Sequence, residues 1–202
     1  MPVSVRRVAE WLLPRRSLYG GVVTLPVLGS LISLPVLDRL DLVAPSTAET
    51  LRVWSYAGQV AVCEIDPELA DTAALTAAFD LPLSSSGNCV LVAGTRAGGE
   101  RIAACVVAAN TRADVNTLVR RELDVRKASF LPMDRAVAES GMEYGGITPV
   151  GLPASWRLLI DANLAGEDVV CVGSGIRRSK LLIPGSVLAH LPGAEVVTGL
   201  GR

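Results

Sequence analysis

The stretch NCVLVAGTRAGGERIAACVVAA, residues 88–109, contains two apolar runs separated by a polar, glycine-rich segment. The runs are residues 89–93 and 102–109, and residues 94–100 lie between them. Apolar runs of this length are typical of buried strands, and a short connection containing glycine joins such strands as a hairpin. This stretch therefore predicts two antiparallel neighbours in a sheet, not strands joined by a crossover helix.

The segments around this hairpin mix strands with helices. Residues 59–65 predict a strand, and residues 67–79 a helix, because Asp66-Pro67-Glu68 supplies a cap, a first-turn proline and an acidic first turn. The other predicted helices are 114–123, 134–141 and 184–191, and the other predicted strands are 158–161, 168–172, 181–183 and 194–199. The predicted fold is α/β, with a mixed, partly barrel-like sheet and surrounding helices.

The chain has 202 residues, 50% of them hydrophobic, which is enough to bury one core. We expect one folded domain over residues 46–202, preceded by an extension over residues 1–45 of undefined function. Residues 5–13 of the extension predict an amphipathic helix, and residues 17–37 carry no charge. A signal peptide or a membrane span is an alternative for this stretch, but prolines and glycines interrupt it. We therefore expect a cytoplasmic protein with no membrane partner.

Charge and cysteine content narrow the classes of function. The net charge of −1 gives no general attraction to nucleic acid, so DNA is not an expected partner. A local basic patch that binds phosphates is still compatible with this net charge. The four cysteines are widely spaced in apolar surroundings, which predicts reduced core thiols and no metal site. His190, the one histidine, is expected to stabilise a helix end or to be exposed, and no Gly-x-Ser-x-Gly motif offers it a nucleophile.

Residues 145–151, Gly-Gly-Ile-Thr-Pro-Val-Gly, form the most unusual segment of the sequence. Paired glycines permit positive φ angles and let a ligand approach the main chain closely. Thr148-Pro149 fixes the exit from the segment, because proline restricts its own φ and the residue before it. The segment suits recognition by main-chain groups, including an oxyanion site, and a tight turn without a ligand is the alternative.

Two further segments carry cations. Residues 172–178, Val-Gly-Ser-Gly-Ile-Arg-Arg, could cradle a phosphate with Ser174 and one of the two arginines, or form a hairpin turn with solvated arginines. Both interpretations remain open. Arg126-Lys127 is typical of a solvated surface, and it is a candidate for the functional site only if it shares a face with the two glycine segments.

In this order, the segments resemble the YbaK family of aminoacyl-tRNA deacylases, which is related to the editing domain inserted in bacterial prolyl-tRNA synthetases. The similarity covers about residues 60–197. Its most specific motifs are Arg126-Lys127-Ala128, Ser140-Gly141 and residues 145–151, and Ile160-Asp161 and residues 173–175 follow at the expected spacing.

The resemblance implies an α/β barrel-like fold and hydrolysis of the ester that joins a wrong amino acid to the terminal adenosine of tRNA. It implies no cofactor, no metal and no covalent intermediate. Gly145 and Gly146 would contact the ester through their main chain, and a ribose hydroxyl of the substrate would help to position water. The expected partners are the acceptor end of an aminoacyl-tRNA and, as a further candidate, a synthetase. The residues expected to hold the acceptor end are Thr148, Pro149, Gly151, Ser174, Gly175, Arg177 and Lys127.

One position departs from the family pattern. Relatives carry a lysine at the start of the strand after the first helix, and this chain has Asn88 there. Asn88 could orient the ester or water while Arg177, Arg178 or Lys127 holds phosphate; alternatively, catalysis is lost and the fold is a non-catalytic module that binds tRNA or a synthetase. The intact glycine segment favours the enzyme. The family's Thr-Gly-Tyr tyrosine is Met142 here, which leaves the amino-acid specificity undefined. In the enzyme interpretation, Asn88, Gly146, Ser174 and Arg177 should line one cleft.

Overall fold

The computed structural model describes residues 24–202 as nine strands in two sheets with short helices around them. The strands are β1 Leu34–Pro35, β2 Ala61–Glu64, β3 Gly87–Arg96, β4 Gly99–Ala108, β5 Ala128–Phe130, β6 Arg157–Asp161, β7 Val170–Gly173, β8 Ser179–Ile183 and β9 Ala194–Val197. The α-helices are α1 Pro45–Val53, α2 Thr72–Phe79, α3 Arg120–Glu122, α4 Met133–Ser140, α5 Ala162–Ala165 and α6 Gly185–Leu188.

The first sheet has the strand order β1-β2-β8-β7, and the second has the order β5-β3-β4-β6-β9. The first is antiparallel throughout, whereas in the second β4, β6 and β9 run parallel. The predicted mixed α/β fold is confirmed. Among residues 24–202 the sheets do not close into a barrel; they meet where a bridge between Ser86 and Cys171 joins the start of β3 to β7.

The predicted hairpin is β3 and β4, paired from Gly87↔Ala108 to Arg96↔Gly99. The turn is shorter than predicted, because only Ala97 and Gly98 lie between the strands. Both have positive φ angles, 50° and 80°, as a two-residue type I′ turn requires. The sequence points to a longer connection because alanine seldom adopts such an angle.

The apolar residues of the two sheets form a shared core. The largest cluster includes Val62 and Leu181 from the first sheet, and Leu91, Val106 and Ile160 from the second. Residues on the outer face of the second sheet pack under 115–125, and those on the outer face of the first sheet pack under α2. This alternation of faces is what a strand period of two residues produces.

The single helix predicted over residues 67–79 is wrong. A short 3₁₀ helix, Pro67–Leu69, is followed by a break, and α2 begins only at Thr72. Asp66 caps the first piece through Glu68 N–H, as the sequence predicts, but Asp71 has extended φ and ψ angles of −74° and 140° and ends the helical path. Because of this break, the Ala70 carbonyl can accept a hydrogen bond from a side chain on β8.

Other helix predictions hold with altered boundaries. Asp114 accepts hydrogen bonds from Thr117 N–H and Leu118 N–H, but the first turn, Val115–Val119, is π-helical before α3. Helix α4 ends at Gly141, whose φ of 68° is the left-handed angle expected of a glycine cap. The helix predicted over residues 184–191 is the single turn of α6.

Part of the predicted N-terminal extension packs on the fold. Strand β1 pairs with β2, and Leu31, Val36 and Leu42 are buried. The predicted helix over residues 5–13 lies outside the described residues, as does the start of the uncharged stretch. Between residues 24 and 202, none of the helices has the length and apolar character needed to cross a membrane.

His190 lies just after α6 and is exposed. Its Nδ1 is 2.7 Å from the Ser186 carbonyl oxygen, one turn earlier, and its ring packs on Tyr56 with 4.9 Å between centroids. These contacts are those of a residue at a helix end, in agreement with the expectation from sequence.

Candidate functional site

A cavity of about 450 Å³ lies between the two sheets. Beyond the Ser86–Cys171 bridge, β3 and β7 are no longer paired, and residues 87–90 and 171–173 both line the cavity. Strand β5 pairs with β3 only at Val92–Gly94, so within the described chain no strand other than β4 pairs with residues 88–90. The other lining residues are Ala70, Asp71, Thr72, Leu75, Ser86, Met133, Tyr144, Gly145, Ile147 and Lys180.

Asn88 lies in the wall formed by β3. Its Oδ1 accepts a hydrogen bond of 2.8 Å from Thr72 Oγ1, at the start of α2. This bond occupies the amide oxygen and leaves the NH₂ group, a donor, without an acceptor between residues 24 and 202. The position that departs from the family pattern therefore presents an oriented, neutral donor at the cavity.

The glycine segment forms another part of the wall through Gly145 and Ile147. Gly145 has a φ of 77° and occupies the third position of a turn closed by a 2.9 Å hydrogen bond from Gly146 N–H to the Glu143 carbonyl. A positive φ at this position is characteristic of a type II turn and explains the glycine. In the part of the chain that the structure describes, Gly145 N–H has no acceptor.

Gly146 does not line the cavity, contrary to the expectation from sequence. Its N–H is used in the turn, and its carbonyl accepts a 2.7 Å hydrogen bond from Gly175 N–H. A Cβ at Gly146 would lie 2.7 Å from the Ile176 carbonyl carbon. Gly146 is thus required for close packing of the two glycine segments, and only one of the two expected main-chain donors, Gly145, stands at the cavity.

Ser174 is also absent from the cavity wall. It is fully buried, and its hydroxyl lies 2.7 Å from Ser179 Oγ, which in turn donates to the Leu42 carbonyl. Gly175, with a φ of 87°, packs against Ala44. The segment is the connection of a β7–β8 hairpin, in which Ser174 and Gly175 pack inward and Gly173 lines the cavity.

The remaining glycine-segment residues lie behind the cavity. Thr148 and Pro149 are buried, and Thr148 Oγ1 accepts from Val150 N–H. Gly151 has a φ of 86°, and a Cβ there would lie only 2.5 Å from the Ser46 carbonyl oxygen at the start of α1. These three residues hold the segment against the core and are separated from the space that Gly145 borders.

Arg177 lies at the rim, next to Gly145. Its guanidinium donates to the Pro67 and Tyr144 carbonyls at 2.9 and 3.3 Å, and it lies 4.0 Å from Asp71 Oδ1. It thereby ties the glycine segment to the chain before α2. Of the four residues expected to line one cleft, Asn88 alone does so, with Arg177 beside it.

The other expected cations lie elsewhere. Arg178 donates to the Asp41 carbonyl at 2.7 Å. Lys127 and Arg126 border a second hollow on the β5 side of β3, together with Phe130 and Arg135. No residue that borders this hollow also lines the main cavity, so Lys127 is not adjacent to Asn88 or Gly145.

Lys180 is a cavity residue that the sequence reasoning missed. It lies on β8, all of whose residues are buried, and only 6% of it is exposed. Its Nζ donates a 2.7 Å hydrogen bond to the Ala70 carbonyl, in the break before α2. Burial lowers the pKa of Lys180, with Asp71 acting in the opposite direction. The signal in the sequence was a lysine directly before the apolar run of residues 181–183, LLI.

Two cysteines line the cavity, Cys89 and Cys171. Burial raises the pKa of the Cys89 thiol, and it raises the pKa of Cys171 to about 12. Neutral thiols are poor nucleophiles and poor metal ligands. All four cysteines are free, and residues 24–202 contain no group of three acidic, histidine or cysteine side chains able to hold a metal ion.

Solved structures share this fold. A candidate trans-editing enzyme for prolyl-tRNA synthetase matches with a TM-score of 0.66 and 19% identity, over 79% of this chain and 98% of that one. A scaffold protein from computational epitope grafting matches with a TM-score of 0.64 and 22% identity, over 79% and 98%. A hypothetical protein matches with a TM-score of 0.61 and 21% identity, over 70% and 90%. No curated protein matches the chain.

The fold is thus a mixed α/β fold shared with these structures, with a cavity bordered by a glycine turn. The sequence model of the aminoacyl-tRNA editing domain matches residues 66–191, more than half of the chain. The protein belongs to the aminoacyl-tRNA editing domain family, and the resemblance inferred from its motifs is confirmed. Its function lies in aminoacyl-tRNA editing.

Proposed function

We propose that this protein is a deacylase that hydrolyses the ester of a mischarged aminoacyl-tRNA in the cavity between β3 and β7. The observation that carries the proposal is the pair of unused donors at one cavity, the Gly145 N–H and the Asn88 side-chain amide. Both are neutral and both are held in place, Gly145 by its turn and Asn88 by Thr72.

Donors of this kind suit ester hydrolysis. The oxygen of a water molecule attacks the ester carbonyl carbon, and negative charge develops on the carbonyl oxygen. The bond to the ribose oxygen then breaks, the proton lost by the attacking water goes to that ribose oxygen to give a hydroxyl, and the free amino acid leaves. One preorganised donor to the developing oxyanion is worth about 3–4 kcal/mol of barrier, and an activated ester needs little more than this and correct positioning.

The proposed nucleophile is water and not a cysteine. The thiols of Cys89 and Cys171 stay protonated at neutral pH because burial raises the pKa of each. Among the described residues no histidine lines the cavity. A hydroxyl of the substrate's own terminal ribose is the group that would position the water, as the family resemblance implies.

The mouth of the cavity suits a nucleotide. Tyr144 and Met133 line it and remain 57% and 50% exposed. An exposed aromatic ring can stack against a base, such stacking tolerates any base, and a flexible apolar side chain can pack on the same ligand. We propose that the terminal adenine of the acceptor end rests there, while the aminoacyl group enters the cavity.

The proposed partners follow from this substrate. The first is the acceptor end of an aminoacyl-tRNA, which binds at the cavity. The second is a synthetase that produces the mischarged tRNA, which binds at another surface. The net charge of −1 favours such limited contact over binding along a duplex. Translation in the cytoplasm is the setting in which this substrate occurs.

The test is a deacylation assay with a panel of mischarged tRNAs, using the wild type and Asn88→Ala. We expect turnover of at least one tRNA by the wild type and a fall of about tenfold or more in kcat for Asn88→Ala, because a donor to the reacting ester is lost. Binding of the uncharged tRNA should change less than kcat. Thr76→Val, on the outer part of α2, serves as a matched control.

Two outcomes would overturn the proposal. Binding of tRNA by the wild type without turnover of any ester would identify a non-catalytic module. Turnover that is unaffected by Asn88→Ala and by Gly145→Ala would place the reaction outside this cavity.

A further inference from the structure

Lys180 is a buried cation with an incomplete set of partners. An ammonium group has three N–H donors, and the structure gives Nζ of Lys180 one acceptor, the Ala70 carbonyl at 2.7 Å. No carboxylate between residues 24 and 202 lies within 4.0 Å of this Nζ. Because an unpaired buried charge is costly, an apolar side chain would be the stable choice at this position.

The next three residues of β8 after Lys180 are apolar. Leu181, Leu182 and Ile183 on the same strand are fully buried in apolar surroundings. The charged groups around Nζ are Asp71, which is exposed at the rim, and Arg177, which repels it. Neither Asp71 nor the Ala70 carbonyl uses all the donors of Nζ, so the remaining N–H groups of Lys180 are available to an anion in the cavity.

Asn88 and Lys180 line the same cavity from different sheets, β3 in the second and β8 in the first. Asn88 brings no charge, and Lys180 is the one lysine among the described residues that line the cavity. A substrate in this cavity could therefore meet both the Asn88 amide and the Lys180 ammonium.

We propose that Lys180 binds the phosphodiester group that precedes the terminal adenosine of the charged tRNA. This inference rests on the proposed function, because it takes the aminoacyl ester to lie at Gly145 and Asn88. A phosphodiester is ionised at every physiological pH and lies one ribose away from that ester, which is within the length of one cavity. A point-like ammonium is a common partner for a phosphate oxygen.

The experiment uses an acceptor-stem RNA hairpin with alanine joined to its 3′ end by an amide, which cannot be hydrolysed. One form has the normal last phosphodiester, and the other has a neutral methylphosphonate there. Binding of both is measured for the wild type and for Lys180→Met, which keeps the length of the side chain and removes its charge. Arg52→Met, on an exposed part of α1, is the matched control.

We expect the neutral linkage to weaken binding by the wild type by about tenfold, the usual value of one charge-assisted hydrogen bond. Lys180→Met should lose a similar factor on the normal RNA and show no further loss with the neutral linkage. Asn88→Lys in the Lys180→Met background should restore part of the sensitivity by supplying a cation from β3. Lys180→Met should unfold at the same or a higher temperature, because a buried charge has been removed.

Equal sensitivity to the neutral linkage in the wild type and in Lys180→Met would overturn the inference. So would a loss restricted to a glutamyl form of the probe, because Lys180 would then bind an acidic amino-acid side chain. Turnover of mischarged tRNA is measured in parallel. If the wild type hydrolyses an ester and Lys180→Met is as sensitive to the neutral linkage as the wild type, only the role of Lys180 is rejected. If the wild type hydrolyses no ester, the proposed function itself is rejected.

Discussion

The hydroxyl of Thr72 donates a 2.8 Å hydrogen bond to Oδ1 of Asn88, which joins the start of α2 to the cavity wall on β3. The bond fixes which end of the amide faces the cavity. An asparagine without it could present either its oxygen or its NH₂ group, and the oxygen would repel the carbonyl of an ester. The break before α2 is what brings Thr72 into this position.

Removing the Thr72 hydroxyl should impair catalysis without unfolding the protein. We expect Thr72→Val to lower kcat/KM by about 2–10-fold, because one neutral hydrogen bond contributes about 0.5–1.5 kcal/mol. Thr76→Val is the control, since that hydroxyl bonds only to the Ala73 carbonyl of its own helix. Steady-state deacylation and thermal unfolding measure the two effects, and equal losses in both variants would contradict the role of Thr72.

Alanine at Gly145 should affect activity more than alanine at Gly141. Both glycines have positive φ angles, 77° and 68°, so each substitution should cost about 1–2 kcal/mol of stability. A Cβ at Gly141 meets no atom within 4 Å, whereas at Gly145 it would lie 2.7 Å from Arg177 Nη1 and displace that side chain from the rim. Alanine keeps the main-chain N–H but strains the turn that orients it, and we expect this displacement to lower kcat/KM about 100-fold in Gly145→Ala alone.

Urea unfolding and single-turnover deacylation separate these effects. If the two variants lose stability and activity in parallel, backbone strain alone explains both, and the Gly145 main chain has no direct part in the reaction.

The structure and the sequence predict different roles for Ser174, which is buried in the core in the first and binds substrate in the second. We expect Ser174→Ala to lower the free energy of unfolding by about 1–3 kcal/mol, because the buried Ser179 hydroxyl loses a partner. Ser155→Ala, at an exposed serine, should stay within about 0.5 kcal/mol of the wild type. A substrate-binding Ser174, as the sequence suggests, would instead raise KM at unchanged stability.

The thiols should react slowly in the folded protein and faster as the pH rises. Burial raises the pKa of Cys63 to about 11 and those of Cys105 and Cys171 to about 12. At pH 8 only about one Cys63 in a thousand would be thiolate, against about a quarter of ordinary thiols. Between pH 8 and 10 the native rate should therefore rise about 100-fold.

Labelling with an aromatic disulfide reagent, followed by absorbance, measures these rates. The control is the chain unfolded in urea, whose thiols should all react rapidly and show only a few-fold increase over the same pH range. A native rate that does not change between pH 8 and 10 would contradict the raised pKa values.

Several features could be read directly from the residues. The β3–β4 hairpin, the Asp66 and Asp114 caps, and the Gly141 helix end all depend on local pattern, which the sequence displays. The family motifs also led to the glycine segment and to Asn88. Local signals failed where a distant contact decided the outcome, as at the break before α2, where Lys180 bonds to Ala70.

The sequence by itself determined the mixed α/β class, the hairpin and the family, because side-chain period, turn residues and motifs are properties of neighbouring residues. Only the tertiary structure decided which of these residues share a cavity. It placed Gly145 there and Gly146 away from it, buried Ser174, and brought Lys180 to the same cavity as Asn88. The physical reason is that the cavity forms where the two sheets meet, and the residues that line it come from segments far apart in the chain.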